Sequence, residues 1–225
     1  MTDTSAKKIN TKKLTVLAMF VALGYMCLFV FRFKVQFLSF EIKDVFITMT
    51  GFLFGPLTAV GVALTEALLE MITLSDTGIY GAVMNFAGSA SFAFTASLIY
   101  KYKKNLYGAV FGMLSGVAVM TGVMIIMNIL ITPFYMKAPR EVVVGMIPTL
   151  LLPFNLLKGI FNAGVLFIIY KPLSQALKAI GMLPKGDSFK LDKRSVVVTA
   201  ASMAVILLAI AGLLLFMHGS VEWGR

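Results

Sequence analysis

The stretch LLPFNLLKGIFNAG, Leu151 to Gly164, places an ammonium group, Lys158, in the middle of otherwise apolar chain. Asn155 lies one helical turn before it and Asn162 one turn after. Residues three and four apart are neighbours on a helix, so these three polar side chains share one face. An ammonium at the centre of a bilayer costs about 2.5 to 3.5 kcal/mol even on lenient insertion scales, so Lys158 requires a partner or a wet cavity. Glu66 and Glu70, four apart on a neighbouring apolar segment, would satisfy it as a purely structural pair.

The surroundings of this stretch are those of a membrane protein. Of 225 residues 59% are hydrophobic and 13% charged, with a mean hydropathy of +0.92, which excludes an ordinary soluble domain. A net charge of +10 in such a chain points to basic loops facing the cytoplasm rather than to nucleic acid. Cys27 has no second cysteine, so no disulfide or thiolate metal site forms within one chain. His218 is the sole histidine and lies near the C-terminus, which disfavours zinc, haem and histidine acid–base chemistry. No metal or catalytic residue is expected, and no cofactor.

Apolar runs predict an all-α integral membrane protein with six helices and a seventh near the C-terminus. The first runs from Leu14 to Phe31, and the charged connection Arg32 to Lys43 follows. The second, Asp44 to Phe54, is short for a span and is expected to pack inside protein or run obliquely; the FGPL turn joins it to the third, Leu57 to Leu74. The fourth covers Tyr80 to Tyr100, the fifth Leu106 to Thr132, the sixth Met146 to Tyr170 and the seventh Ser195 to Met217. The organisation is therefore a polar tail (1–13), a six-helix domain (14–180), a basic linker (181–194) containing KGDSFKLDKR, and an accessory helix with its tail (195–225). The tail lacks the pattern of a cleaved secretory signal.

Lysines 7, 8, 12 and 13, the KYKK stretch (Lys101, Lys103, Lys104) and the linker lysines alternate correctly for one side, which the positive-inside rule makes cytoplasmic. The N-terminus is then cytoplasmic, and LPFNLLKG falls in the outer half of the sixth helix. Other polar features collect on that outer side. Asn128 and Thr132 lie near the outer end of the fifth helix in MNILITPFY, where Pro133 is expected to end the helix. Asn85 lies in the outer half of the fourth, within GAVMNFAGSASF, whose small residues permit close packing. The connection FKVQFLSFEIKD offers Phe37, Leu38 and Phe40 as apolar cover. An isolated membrane asparagine is usually interhelical glue at about 0.6 kcal/mol, the default for Asn85 and Asn162. Lys158 is different, because an intramembrane charge is a functional-site hypothesis by default.

Taken in order, AMFVA, FLSFEIKDV, FGPLTAVGVALTEALL, GAVMNFAG, NILITPFY and LLPFNLLKG resemble the riboflavin-binding S-components of energy-coupling factor (ECF) vitamin transporters over about residues 10–180. The resemblance implies a six-helix membrane subunit that captures riboflavin, or FMN and analogues, at the outer face and performs no chemistry. It implies as partners a transmembrane coupling protein and two ATPase subunits, in the cell membrane among lipids. Asn128, Asn155 and Lys158 match positions that hydrogen-bond the isoalloxazine ring, and the loop around Leu38 and Phe40 matches the one covering the ligand. Ala18 and Ala22 match the small-residue face that meets the coupling protein. Thr132 and Asn85 complete the candidate substrate site. GxxxxGK[ST] is absent, so ATP hydrolysis is assigned to partners. Two alternatives stand beside this: an S-component for another vitamin such as thiamine, and an intramembrane lipid-handling enzyme using Glu66, Glu70 and Lys158.

Overall fold

The computed structural model describes residues 11–182, 193–216 and 221–223. Most of the predicted N-terminal tail, the linker stretch 183–192 and Met217 lie outside the described residues. Helix α1 (Thr11–Val30) leads into a short hairpin, β1 (Phe33–Val35) and β2 (Leu38–Phe40), followed by α2 (Lys43–Phe54), α3 (Pro56–Thr73), α4 (Ile79–Tyr102) and α5 (Leu106–Met136). A single short helix, α6 (Arg140–Gly145), and a π-helical turn (Ile147–Leu151) precede α7 (Leu152–Ala179). Beyond the linker come α8 (Lys193–Phe216) and β3 (Val221–Trp223). Helices α1 to α5 with α7 form the six-helix bundle, and α8 is the added seventh.

Helix α2 is the hub. Its 12 residues rise about 18 Å, well short of a hydrocarbon core; most of them are buried and none is exposed. It packs against α1, α3, α4 and α7, as its short, mixed sequence predicts. Gly55, at φ 102°, makes the turn that a side chain would resist, and Pro56 starts α3 with its φ already set. Val16 and Phe20 of α1, Val45 and Met49 of α2, Phe92 of α4, Met113 and Val117 of α5 and Leu166 of α7 form the main core.

Helices α4 and α5 make the most intimate contact, because α5 presents glycines where α4 presents backbone. A Cβ on Gly112 would lie 2.7 Å from the Ala96 carbonyl oxygen, and one on Gly116 2.9 Å from that of Phe92. Without a hydrophobic drive between helices in lipid, such close approach is what holds a pair together.

Two expectations require correction. Pro133 does not end the fifth helix, which continues to Met136 and stops where Lys137 turns left-handed at φ 52°. A proline in a last turn costs only the bond to the carbonyl four residues back, so the helix passes through it. The sixth helix does not run unbroken from Met146: its first turn widens, with Leu151 N–H bonding Met146 O at 2.9 Å, before Pro153 begins the regular helix, which then extends to Ala179.

The connection after α1 is a hairpin rather than an irregular loop. Phe33 pairs with Phe40, Lys34 with Ser39 and Val35 with Leu38, leaving Gln36 and Phe37 as a two-residue turn with Gln36 at φ 54°. Strand β3 pairs antiparallel with β1 on its other edge, Val35 opposite Val221 and Phe33 opposite Trp223, so the sheet order is β2-β1-β3. That pairing puts the end of α8 at the hairpin end of the bundle, about 36 Å of helix from its start. Helix α8 packs on α7, where Gly164 meets Ile206 and Gly212 meets Leu157.

Replacing Gly112 with valine should separate α4 from α5 and lower the thermal unfolding midpoint in detergent, a loss of about 1 to 3 kcal/mol. Gly122→Val, at a position with open space around it, should leave the midpoint unchanged or raise it.

Candidate functional site

At the hairpin end of the bundle lies a cavity of about 380 Å³, within the range of small-molecule sites. Six parts of the chain close around it, among them α3, which contributes Glu70. The hairpin contributes Gln36, Phe37, Leu38 and Ser39, preceded by Arg32 and Lys34; the α3–α4 connection contributes Ser75, Asp76 and Thr77. Met84 and Asn85 of α4, Met124, Tyr135 and Met136 of α5, and Phe154, Asn155 and Lys158 of α7 complete the wall.

Lys158 reaches this wall with two bonds made. Its Nζ donates to Ser39 O at 3.3 Å and to Glu41 Oε1 at 3.2 Å, which leaves one of its three donors for a guest. The partner is thus Glu41, at the end of the hairpin, and neither Glu66 nor Glu70 of α3. Asn155 spends one amide hydrogen on the Leu151 carbonyl at 2.8 Å, a carbonyl at the end of the widened turn, and keeps its other hydrogen and its oxygen. Asn162 is committed elsewhere: its amide donates to Glu41 O at 3.1 Å and to Lys158 O at 2.9 Å, pinning the hairpin's end to α7.

Glu41 opens a chain of alternating charges. Lys43 stands 3.5 Å from the same Oε1 and hydrogen-bonds Glu70 Oε2. Arg32 Nη2 lies 3.3 Å from Glu70 Oε1, an ion pair without hydrogen-bond alignment, and also donates to Ser39 Oγ at 3.3 Å. Glu41, Lys43 and Glu70 are fully buried, whereas the end members Arg32 and Lys158 keep some exposure to the cavity. Burial pushes the Glu41 carboxyl up, but Lys43, Lys158 and Arg32 outweigh it and hold it at about 2. Near the mouth Lys34 pairs with Asp76, whose hydrogen bond from the ammonium lowers its carboxyl from the ordinary value.

The other predicted residues divide. Leu38 and Asn85 line the cavity together with Asn155 and Lys158. Asn128 and Thr132 are fully buried beside it: Asn128 donates to Met124 O at 2.7 Å and accepts from Thr132 Oγ1 at 2.8 Å. Thr132 Oγ1 lies 3.3 Å from Tyr135 Oη, so this polar pair meets the cavity through Tyr135. Phe40 sits behind the hairpin, stacked on Phe33 and edge-on to Phe154 and Phe161, where it supports the cover rather than facing the cavity. Ala18 and Ala22 are exposed on α1 in one stripe with Met26 and Phe29.

Tyr135, Arg32 and Gln36 are cavity residues that the sequence reading did not single out. Tyr135 had a signal: it is three residues after Thr132 and so on the same helix face. Phe37 at the hairpin tip meets Tyr135 edge-on at 6.2 Å, an aromatic lid contact. Glu66, by contrast, lies outside the cavity wall, and neither carboxylate oxygen has a hydrogen-bond partner among the described residues. Glu70 and Lys158 line the same cavity but Glu66 does not, so the three do not converge on one reaction centre. Among the described residues no three of His, Cys, Asp and Glu are placed to hold a metal ion.

Comparison with known proteins points in one direction. Residues 12–173 match the family described as ECF transporter, substrate-specific component. The chain is 30% identical over 188 residues to the riboflavin transporter RibU of Staphylococcus aureus (strain TCH60), covering 77% of this chain and 98% of that protein. It is 28% identical over 179 residues to the riboflavin transporter FmnP of Bacillus subtilis (strain 168), covering 72% and 92%. A solved structure of the S component of a bacterial ECF transporter superposes with a TM-score of 0.64 at 31% identity, covering 75% of this chain and 98% of that one.

The charge chain predicts a pH dependence. The native Glu41 carboxyl sits below its ordinary value of 4.5, so its stabilising contribution is complete above that pH and is lost as pH falls towards about 2. Thermal midpoints in detergent between about pH 6 and about pH 3 should fall more steeply for the wild type than for Glu41→Gln.

Proposed function

Because this chain belongs to the family of ECF transporter substrate-specific components, we propose that it captures riboflavin at the outer face of the cell membrane and delivers it to ATP-driven partner subunits. The observation that carries the reading is the wall formed by Lys158 and Asn155, opposite an aromatic hairpin cover, in a cavity of about 380 Å³. The pyrimidine edge of a flavin alternates carbonyl acceptors with an N–H donor. Asn155 meets both kinds and the spare Lys158 hydrogen meets a carbonyl. Phe37, Leu38, Phe154 and Met84 offer the apolar surface that the dimethylbenzene end requires, and the polar residues of the α3–α4 connection suit the ribityl hydroxyls.

The same geometry accounts for selectivity. A guest lacking the matching acceptors leaves a buried ammonium and carboxamide unpaired, at about 1 to 3 kcal/mol for each group. FMN and flavin analogues share the isoalloxazine edge and are expected to compete. Thiamine is the contrasting candidate, and it lacks that edge.

In this reading the chain is no enzyme and needs no cofactor; riboflavin is its cargo. A coupling protein docks on the exposed α1 stripe around Ala18 and Ala22, and two ATPases supply the energy. The N-terminus is cytoplasmic, because the hairpin end, with its cavity, must face outward for uptake. Asn128 and Thr132 serve the ring through Tyr135, or directly once they release one another.

Protein purified from cells should carry a yellow, fluorescent ligand, and stripped protein should quench added riboflavin but not respond to thiamine. A colourless protein whose fluorescence ignores riboflavin would overturn the proposal. Lys158→Met should weaken riboflavin binding by about 1.5 to 3 kcal/mol, the range for a hydrogen bond to a charged group. Asn162→Ala, which removes a clasp outside the cavity wall, should weaken it far less, as measured by fluorescence titration.

A further inference from the structure

We propose that Glu41, which does not line the cavity, is a positioning residue for ligand recognition: it fixes the Lys158 ammonium against the wall, with Lys43 fixing Glu41 in turn. The inference rests on the flavin reading above and deepens it.

A lysine side chain is a flexible stem carrying a point charge, so its contribution to recognition depends on what holds the charge in place. Lys158 is 14% exposed, Glu41 not at all, and one oxygen, Glu41 Oε1, serves both Lys158 at 3.2 Å and Lys43 at 3.5 Å. The shared atom makes the two ammoniums interdependent. Lys43 cannot swing away, because its other contact is Glu70, itself facing Arg32. From Lys158 to Arg32 the chain therefore crosses behind the hairpin and reaches the cavity at both ends.

Backbone contacts make the arrangement rigid. Asn162 holds the Glu41 carbonyl at 3.1 Å, so the residue that orients Lys158 is itself tied to α7 one turn along. Lys158 also donates to Ser39 O, and Arg32 to Ser39 Oγ, so both cationic ends grip the strand that bears Leu38. Glu41 Oε2 has no hydrogen-bond partner among the described residues although it is buried. Glu70 Oε1 and Arg32 Nε of the same network are likewise without a hydrogen-bond partner among the described residues, so these groups are kept for their charge.

The test is a double-mutant cycle in the full-length protein, with riboflavin affinity and the absorption spectrum of the bound flavin as readouts. Glu41→Gln should weaken binding by about tenfold or more and shift the bound-flavin spectrum toward that seen with Lys158→Met. In the Lys158→Met background the same change should alter affinity by less than about twofold, because the group it positions is gone. Glu41→Asp, which keeps the charge but withdraws it by one methylene, should fall between wild type and Glu41→Gln, and it serves should the glutamine variant not fold. Equal losses in both backgrounds, or none in the wild-type background, would overturn the positioning role while wild-type binding still stands. A wild type that binds no riboflavin would instead bring down the flavin reading and this inference with it.

Discussion

A charge taken out of water must find an opposite charge, and the hairpin end of this bundle is organised by that requirement. Breaking a buried pair by removing one partner typically costs about 3 to 5 kcal/mol, so Lys43 cannot exist in the buried helix α2 without Glu41 and Glu70 beside it. Glu41 comes from the hairpin's end, Lys43 from α2, Glu70 from α3, Lys158 from α7, and Arg32 from the exit of α1. Five separate parts of the chain are thereby brought to one place before any ligand is considered. The cavity is the space their arrangement leaves between the hairpin and the helix ends.

The same pairing explains why four of the basic residues at this end do not contradict the positive-inside pattern. Arg32, Lys43 and Lys158 face Glu70 and Glu41, and Lys34 faces Asp76. Charges neutralised in this way add little to the loop bias that sets orientation. The lysines at the opposite end, Lys101, Lys103 and Lys104, lie on the exposed surface, where the bias acts.

Much of this was legible in the sequence, and the failures have physical reasons. The six helices were readable because lipid demands long apolar runs, and α2 was recognisable as an internal helix because its run is short and polar at one end. Lys158 and Asn155 were readable as a pair because helix geometry places them on one face. The partner of Lys158 was not, since Glu41 lies 117 residues away in the chain and only the folded hairpin brings it there. Of the two helix partners the sequence offered, Glu70 joins the same charge chain through Lys43 without reaching Lys158, and Glu66 lies outside the cavity wall. The hairpin itself was visible in principle, as Phe33, Val35, Leu38 and Phe40 alternate with Lys34 and Ser39 around a two-residue turn. Asn128 was readable as a site residue from its place near one end of the fifth helix and from the resemblance; in the fold its oxygen accepts from Thr132, one turn on.

The part of the chain beyond the family match carries a constraint of its own. An isolated two-stranded hairpin is marginal in water, and this one must both cover a cavity and carry Lys34 to its mouth. By pairing along the free edge of β1, β3 turns the hairpin into a three-stranded sheet with β1 at its centre. Helix α8 supplies the anchor, packed on α7 through Gly164 and Gly212. The addition therefore reinforces the cover over the cavity and leaves the Ala18 and Ala22 stripe of α1 exposed. A seventh helix packed on α1 would have concealed that stripe; placed on α7, it strengthens one end of the subunit without obstructing the surface by which the resemblance implies it docks.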